Sequence, residues 1–374
     1  MTTHPTLTDG LLAPEPLERA DTIPSAWYTD AFFHAFDQHA VFASTWQYAG
    51  AASRLTTPGD YLTATVGRSS AIVVQQQSGT PQAFYNVCKH RGGPLAMDAC
   101  GSSRMLQCKY HGWTYRLDGS LRGVPRFNRT ELFDKRDFGL TPLETSDWEG
   151  LLFVRAEGGG PALSSAMKGI AERIHPMRLT DMRFYQRITY DIACNWKVYV
   201  DNFLEGYHLP LVHPELCDAI DYSGYVTETA AHYSLQHSPM LGASAYGNAQ
   251  SAGGNAWYYF VFPNFMMNIL PGRMQTNIVL PLAPDRCRVL FDYYYPAEEM
   301  RDDPDGLAVR AGADHDFSHR VQLEDIEICE FVQRGLESPA YDRGRFSAET
   351  EAGVHHFQDL LKAAYRSRLS RHGQ

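Results

Sequence analysis

Residues 202–215, NFLEGYHLPLVHPE, bring Glu205, His208 and His213 into one short run with the pattern E-x2-H-x4-H, interrupted by Pro210 and Pro214. Two neutral imidazoles and an anionic oxygen form a donor set suited to a divalent transition metal. An isolated H-x4-H reads more simply as surface histidines near a helix end. A second metal motif upstream and a carboxylate downstream weigh against that simpler reading. On a regular helix Asp201, Glu205 and His208 fall at i, i+4 and i+7 and share a face, which His213 does not extend. Pro210 biases Leu209 away from helix, so a break there is expected to swing His213 back toward His208.

A three-ligand iron site also needs a carboxylate, with positions left open for oxygen and substrate. In residues 319–336, HRVQLEDIEICEFVQRGL, Asp325 shares a helical stripe with Val321, Ile328, Cys329, Val332 and Leu336. A carboxylate on an apolar face is costly to bury, and a metal compensates it. Glu324, on a more polar face, is the second choice. The plainer alternative for Asp325 is a partly solvated acid at a helix start.

Upstream, Cys88-Lys89-His90 and Cys108-Lys109-Tyr110-His111 form C-x-H, 17 intervening residues, then C-x2-H. Each half follows a strand-like run and is trailed by glycine, so two loops can close over one site. Two thiolates suit one iron and two imidazoles the other iron of a [2Fe-2S] pair. Gly92, Gly93 and Gly112 would supply the tight turns, and Pro94 and Trp113 would shield the cluster. A structural Cys2His2 zinc site competes, but zinc fingers group Cys with Cys and His with His.

Together these segments resemble the Rieske non-haem iron oxygenases, the catalytic alpha components of multicomponent bacterial oxygenases, over nearly the whole chain. The resemblance implies an α+β fold: a Rieske-type antiparallel β domain, then a helix-grip, START-like catalytic domain with a curved antiparallel sheet. It implies one [2Fe-2S] cluster on Cys88, His90, Cys108 and His111, and one mononuclear Fe(II) on His208, His213 and Asp325, with dioxygen as co-substrate. In the family a carboxylate at the position of Glu205 bridges an iron ligand to a Rieske histidine of a neighbouring subunit, which implies a head-to-tail ring, commonly a homotrimer. Most aromatic-ring dioxygenases carry Asp there. Glutamate resembles the branch acting on choline-, carnitine- and betaine-like compounds.

The 374 residues are 44% hydrophobic and 12% aromatic, ample for a packed core in two domains. A net charge of −10 without a Lys/Arg cluster argues against a nucleic-acid partner. No basic-then-apolar leader and no run of about 18 apolar residues occurs, so no membrane span is indicated and a cytoplasmic location is expected. The odd count of seven cysteines, two in metal spacing, argues for reduced thiols. Residues 1–45 read as an arm and a short amphipathic helix packing on the catalytic domain, 46–155 as the Rieske domain and 156–374 as the catalytic domain. The Gly-rich AEGGGPALSS (156–165) is the expected linker. Strands are expected within 47–154, at 183–194 and at 257–295, with helices near 195–209 and 315–336.

The expected activity is hydroxylation, oxidative N-demethylation or cleavage of a small quaternary-ammonium substrate. Aromatic faces attract such a cation. Tyr207, Trp257 and Tyr259 are the substrate-binding candidates, with Tyr222, Tyr225 and Tyr258 beside them, although core packing accounts for most aromatics of this kind. Ring hydroxylation or dihydroxylation of an aromatic acid, with Arg273 as carboxylate anchor, is the alternative, and a Rieske electron carrier without oxygenase activity is a remoter one. No G-x-G-x-x-G follows a strand, so NAD(P)H electrons are expected through a separate flavin/iron-sulfur reductase, directly or via a ferredoxin.

Overall fold

The β-branched runs of the first half pair with their neighbours in sequence. In the computed structural model, which describes residues 4–5, 7–175, 177–241 and 254–372, Asp60–Val66 lies antiparallel to Ser69–Gln75. These strands sit in a seven-stranded sheet ordered Gln47–Ala51, Leu151–Arg155, Pro142–Trp148, Pro81–Tyr85, Ser69–Gln75, Asp60–Val66, Cys100–Ser102. Alternation along one strand feeds two cores: Ile72 and Val74 join the cluster that holds Cys88, Cys108, Trp113 and Tyr115, while Ala71 and Val73 join the other. A three-stranded sheet, Leu106–Gln107, Thr114–Tyr115 and Leu121–Gly123, carries the second metal loop. Several strands, such as QYAGA at 47–51 and LRG at 121–123, lack a β-branched alternation and are defined by their partners.

This first compact unit spans 42–164, and the second combines the chain up to Val41 with the chain from Ser165 onward. The second is organised on a curved, seven-stranded antiparallel sheet ordered Met182–Ile192, Arg286–Pro296, Arg273–Ala283, Phe265–Leu270, Asn255–Val261, Tyr233–Pro239, Val226–Thr229. The last two strands lie outside the expected ranges.

A 33-residue helix, Pro304–Leu336, begins well before the expected position 315. Its first turn carries the start signals: Asp303 accepts from the Gly306 amide, and Pro304 stands where no N–H is needed. Two glycines in PDGLAVRAGAD make that stretch look loop-like. The buried face of this helix also departs from the expected stripe. Cys329 is buried, but Val332 is exposed, and Asp314, Gln322 and Gln333 face inward instead. An apolar pattern therefore misreads a helix whose inner face carries polar groups.

The N-terminal segment is fastened to this unit by a buried ion pair. Lys197 Nζ lies 2.6 Å from Asp37 Oδ2, both side chains fully buried, and the Trp196 indole donates to the same carboxylate at 2.9 Å. The Tyr365 hydroxyl donates to the other oxygen. One carboxylate thus joins the Ala31–Asp37, Trp196–Phe203 and Ala352–His372 helices.

Candidate metal centres and the adjoining cavity

Both cluster loops are closed by the same backbone device. The Cys88 amide donates to Gly93 O at 2.8 Å and Gly92 N returns to Cys88 O, while Cys108 N donates to Trp113 O and Gly112 N returns to Cys108 O. Gly92 and Gly112 adopt φ of 74° and 75°, which favours glycine. Cys88 and Cys108 are buried, and the His90 and His111 Nδ1 atoms face each other at 3.2 Å. A Cβ on Gly93 would stand 2.9 Å from Cys108 Sγ, so this position admits only hydrogen beside the thiols. Trp113 is buried and stacks on the His90 ring at 4.9 Å. Pro94 is exposed and offers no shield; Tyr115 takes that place, its hydroxyl 3.3 Å from Cys88 Sγ and accepting from Lys89 N. Two thiols and two imidazoles converging on one cradle fit the donor set of a Rieske cluster.

In the second unit, one ligand atom each from His208, His213 and Asp325 lie within 4.8 Å of one another. Asp325 Oδ1 is 2.9 Å from His213 Nε2 and 3.8 Å from His208 Nε2. Both imidazoles are oriented from behind. His208 Nδ1 lies 2.6 Å from Glu205 Oε1, and His213 Nδ1 lies 2.6 Å from Glu324 Oε2. Donation from Nδ1–H leaves each Nε2 lone pair directed at Asp325, an arrangement that fixes metal-ligating histidines. Burial pushes the His213 imidazole toward its neutral form, but Asp325 and Glu324 outweigh it and hold its pKa above the ordinary value. A metal ion and a proton therefore compete for that nitrogen. Asn202 completes the set by donating to Asp325 Oδ1 at 2.6 Å.

The chain reaches this geometry through a break earlier than expected. The Trp196–Phe203 helix stops at Leu204, so Asp201 and Glu205 do not share a helical face. Leu209 is itself helical, heading the turn Leu209–Val212 with Pro210 near its start, where proline is tolerated. The bend lies at 204–208, and Glu205 stabilises it by accepting from the Tyr207 and His208 amides. A Cβ on Gly206 would stand 2.6 Å from the Tyr225 ring, so a larger residue does not fit the bend.

Beside the three ligands opens a cavity. Its lining includes His208, His213 and Asp325, the rings of Phe203, Tyr225, Tyr258 and Phe291, and the polar side chains of Asn268, Arg273 and Gln275. Gln236, Tyr258, Asn268 and Gln275 stand directly opposite one another on successive strands and form a row across the sheet. Tyr258 faces the cavity, whereas its neighbours Trp257 and Tyr259 do not line it, as the two-residue period of a strand requires. Trp257 lines a different cleft and Tyr259 is fully buried. Tyr207 is 59% exposed, and Tyr222 is outside the lining, donating to Gly206 O. Of the expected aromatic walls, Tyr225 and Tyr258 line the cavity, joined by Tyr199, Phe203 and Phe291, whereas Tyr207, Tyr222, Trp257 and Tyr259 do not. Among the described residues, Arg273 is the only Lys or Arg in the lining, and its Nη1 pairs with Asp314 Oδ1 at 2.9 Å.

Glu324 as the partner of His213 was legible only as a runner-up ligand. The signal was its adjacency to Asp325, since consecutive acids on a helix reach the same neighbour from two sides. Nothing in the sequence marked Asn202, Asn268 or Gln322.

Two metal sites of these kinds, one on a β domain and one beneath a curved sheet, define a Rieske-type oxygenase. The family models agree: residues 45–134 match the Rieske [2Fe-2S] domain, and 179–367 match the ring hydroxylating alpha subunit catalytic domain. The chain is 37% identical to choline monooxygenase from Arabidopsis thaliana, over 92% of this chain and 83% of that one. It is 26% identical to the carnitine monooxygenase oxygenase subunit of Escherichia coli strain K12, over 93% and 95% of the two chains. A solved quaternary ammonium Rieske monooxygenase superposes with a TM-score of 0.83 at 27% identity, covering 94% of this chain and 99% of that one. The chain belongs to the Rieske non-haem iron oxygenase family, as a catalytic alpha component. Among the described residues no helix is long and apolar enough to cross a membrane.

Proposed function

We propose that this chain is the terminal oxygenase of a multicomponent system and oxidises a small quaternary-ammonium compound in the cavity beside His208, His213 and Asp325. Those three residues would hold the ferrous ion, and Cys88, His90, Cys108 and His111 the [2Fe-2S] cluster. When bound, the cluster stores and relays an electron and the ferrous ion supplies oxygen chemistry. Glu205 and Glu324 hold the imidazoles in the tautomer that ligation needs. Glu205 also has the position of the family's inter-subunit bridge, in a head-to-tail trimer supplied by a separate reductase.

The observation that carries the substrate reading is the lining of the cavity. Aromatic faces line it, Glu205 and Asp325 would offset the charge of the ferrous ion, and the one guanidinium among its described residues is already matched by Asp314. Such a lining suits a cation that cannot donate a hydrogen bond, each aromatic contact contributing roughly 0.5–2 kcal/mol. A matched Arg273 weakens the case for an aromatic acid. The relatives support the reading: those named above are choline and carnitine monooxygenases, and one similar structure holds L-carnitine as substrate. Oxygen uptake and product analysis with choline, betaines and aromatic acids test it. Turnover is expected with one or more ammonium compounds, and turnover of aromatic acids alone would overturn the proposal.

A further inference from the structure

We propose that Asp314 is a specificity-determining residue: by neutralising Arg273, it fits the sheet wall of the cavity to an uncharged hydrogen-bonding group on the substrate and against a carboxylate. This rests on the quaternary-ammonium reading above and names the other end of the molecule, an alcohol rather than an acid.

Arg273 is 8% exposed and reaches the cavity from the Arg273–Ala283 strand. Asp314 approaches from the long helix, is absent from the cavity lining, and accepts from Tyr295 OH at 3.2 Å as well as pairing with Arg273. The carboxylate therefore sits behind the guanidinium and cancels it without itself meeting the substrate.

Around this pair the wall is made of neutral amides. Gln275 Nε2 donates to Asn277 Oδ1 at 2.7 Å, and Ser318 Oγ donates to Gln275 Oε1 at 3.2 Å. One polar atom of the Asn268 amide and one of the Gln322 amide are buried with no partner among the described residues. Both side chains line the cavity, and Gln322 is 2% exposed. Buried amide atoms of this kind are satisfied by a neutral donor or acceptor such as a hydroxyl. A substrate carboxylate would instead lose its water beside a guanidinium that Asp314 already matches.

Equilibrium binding reads this directly. Isothermal titration of the iron-loaded enzyme, held without oxygen so that no turnover occurs, compares choline with glycine betaine, which differ at the alcohol and acid end. The parent is expected to bind choline tighter, on the order of tenfold. Asp314→Asn, which removes the carboxylate paired with Arg273, is expected to move the ratio toward glycine betaine by on the order of tenfold or more. The double variant Arg273→Gln/Asp314→Asn removes both charges and is expected to keep the parent ratio. It decides the matter should the single variant fail to fold, because a carboxylate anchored by Arg273 in the parent would cost the double variant its betaine affinity. Tighter binding of glycine betaine by the parent, an unchanged ratio in Asp314→Asn, or a loss of betaine affinity in the double variant overturns this inference alone. Binding of neither ammonium compound overturns the reading beneath it as well.

Discussion

The cluster loops and the histidine–aspartate site differ in how far along the chain their donors are gathered and in what holds them. At the loops, four donors come from the segment 88–111, and each turn is closed by its own backbone hydrogen bonds and a glycine at positive φ. At the other site, Asp325 arrives on a helix more than a hundred residues after His213, and side chains alone set the imidazole orientations. The first geometry is local; the second exists only when the long helix is docked. Mutations should therefore act differently at the two.

Asp325→Ala should have the largest effect. It is expected to abolish turnover and mononuclear iron binding, exceeding the ~10–100-fold affinity loss usual for residues that only orient a ligand. The visible spectrum of the cluster should persist. Metal analysis alongside that spectrum checks it, and simultaneous loss of both centres would break the distinction between local and assembled sites.

Lys197→Met tests the docking itself. It strands Asp37 in a fully buried position, with only the Trp196 and Tyr365 donors remaining. A cost of about 3–5 kcal/mol is expected. Urea unfolding should show the second unit's signal shifting to lower denaturant while the cluster absorbance changes little. Coincident loss of the two signals would show the units to be coupled more tightly than the contrast implies.

How much of each site could be read in advance follows the same division. Cys88, His90, Cys108 and His111 are identified by spacing because their geometry is made within that spacing. The pair His208 and His213 is readable for the same reason, yet Pro210 points to a break at Leu209, and the chain turns at Leu204–His208 instead. A proline signal is strong in sequence, whereas the Glu205 carboxylate capping two amides is not. Asp325 stands out on its helical stripe, but Val332 of that stripe is exposed. The cavity walls were the least legible. Trp257 and Tyr259 differ from Tyr258 by one residue in strand phase, which turns their side chains to the other face, and aromatic content alone does not give that phase.

Glu324→Gln and Glu205→Gln compare the two orienting carboxylates. Each is expected to weaken iron binding by roughly 10–100-fold. If Glu205 is also the inter-subunit bridge, its variant should lose more turnover than iron, while Glu324→Gln should lose the two together. Single-turnover oxidation of the reduced cluster, normalised to bound iron, separates them; equal behaviour would leave Glu205 an orienting residue only. At the local site, Gly93→Ala forces a Cβ to 2.9 Å from Cys108 Sγ, and overpacking of this sort costs about 1–3 kcal/mol. Cluster occupancy should fall while the iron of the second site is retained.

A pH-dependent effect concerns Asp201, four residues before Glu205 and separated from it by the end of the helix. Burial pushes its carboxyl up from 3.8 to about 7, partly offset by hydrogen bonds from Tyr28 OH at 2.5 Å and Gln358 Nε2. Because the folded value lies above the unfolded one, the folded chain holds this proton more tightly. The associated stability is complete below the unfolded value of 3.8 and is lost as pH rises toward about 7. The slope is at most about 1.4 kcal/mol per pH unit. Asp201→Asn has no proton to lose, so its urea midpoint relative to the parent's should climb through that interval and level off above about pH 7. Subtracting the two curves removes every titration they share, and a difference that stays flat would show that the carboxyl is not held protonated. Glu205, an acid on the far side of the same helix end, is instead tied to His208 and two amides, so the bend that builds the metal site also separates a carboxyl kept near Tyr28 from one used to orient an imidazole.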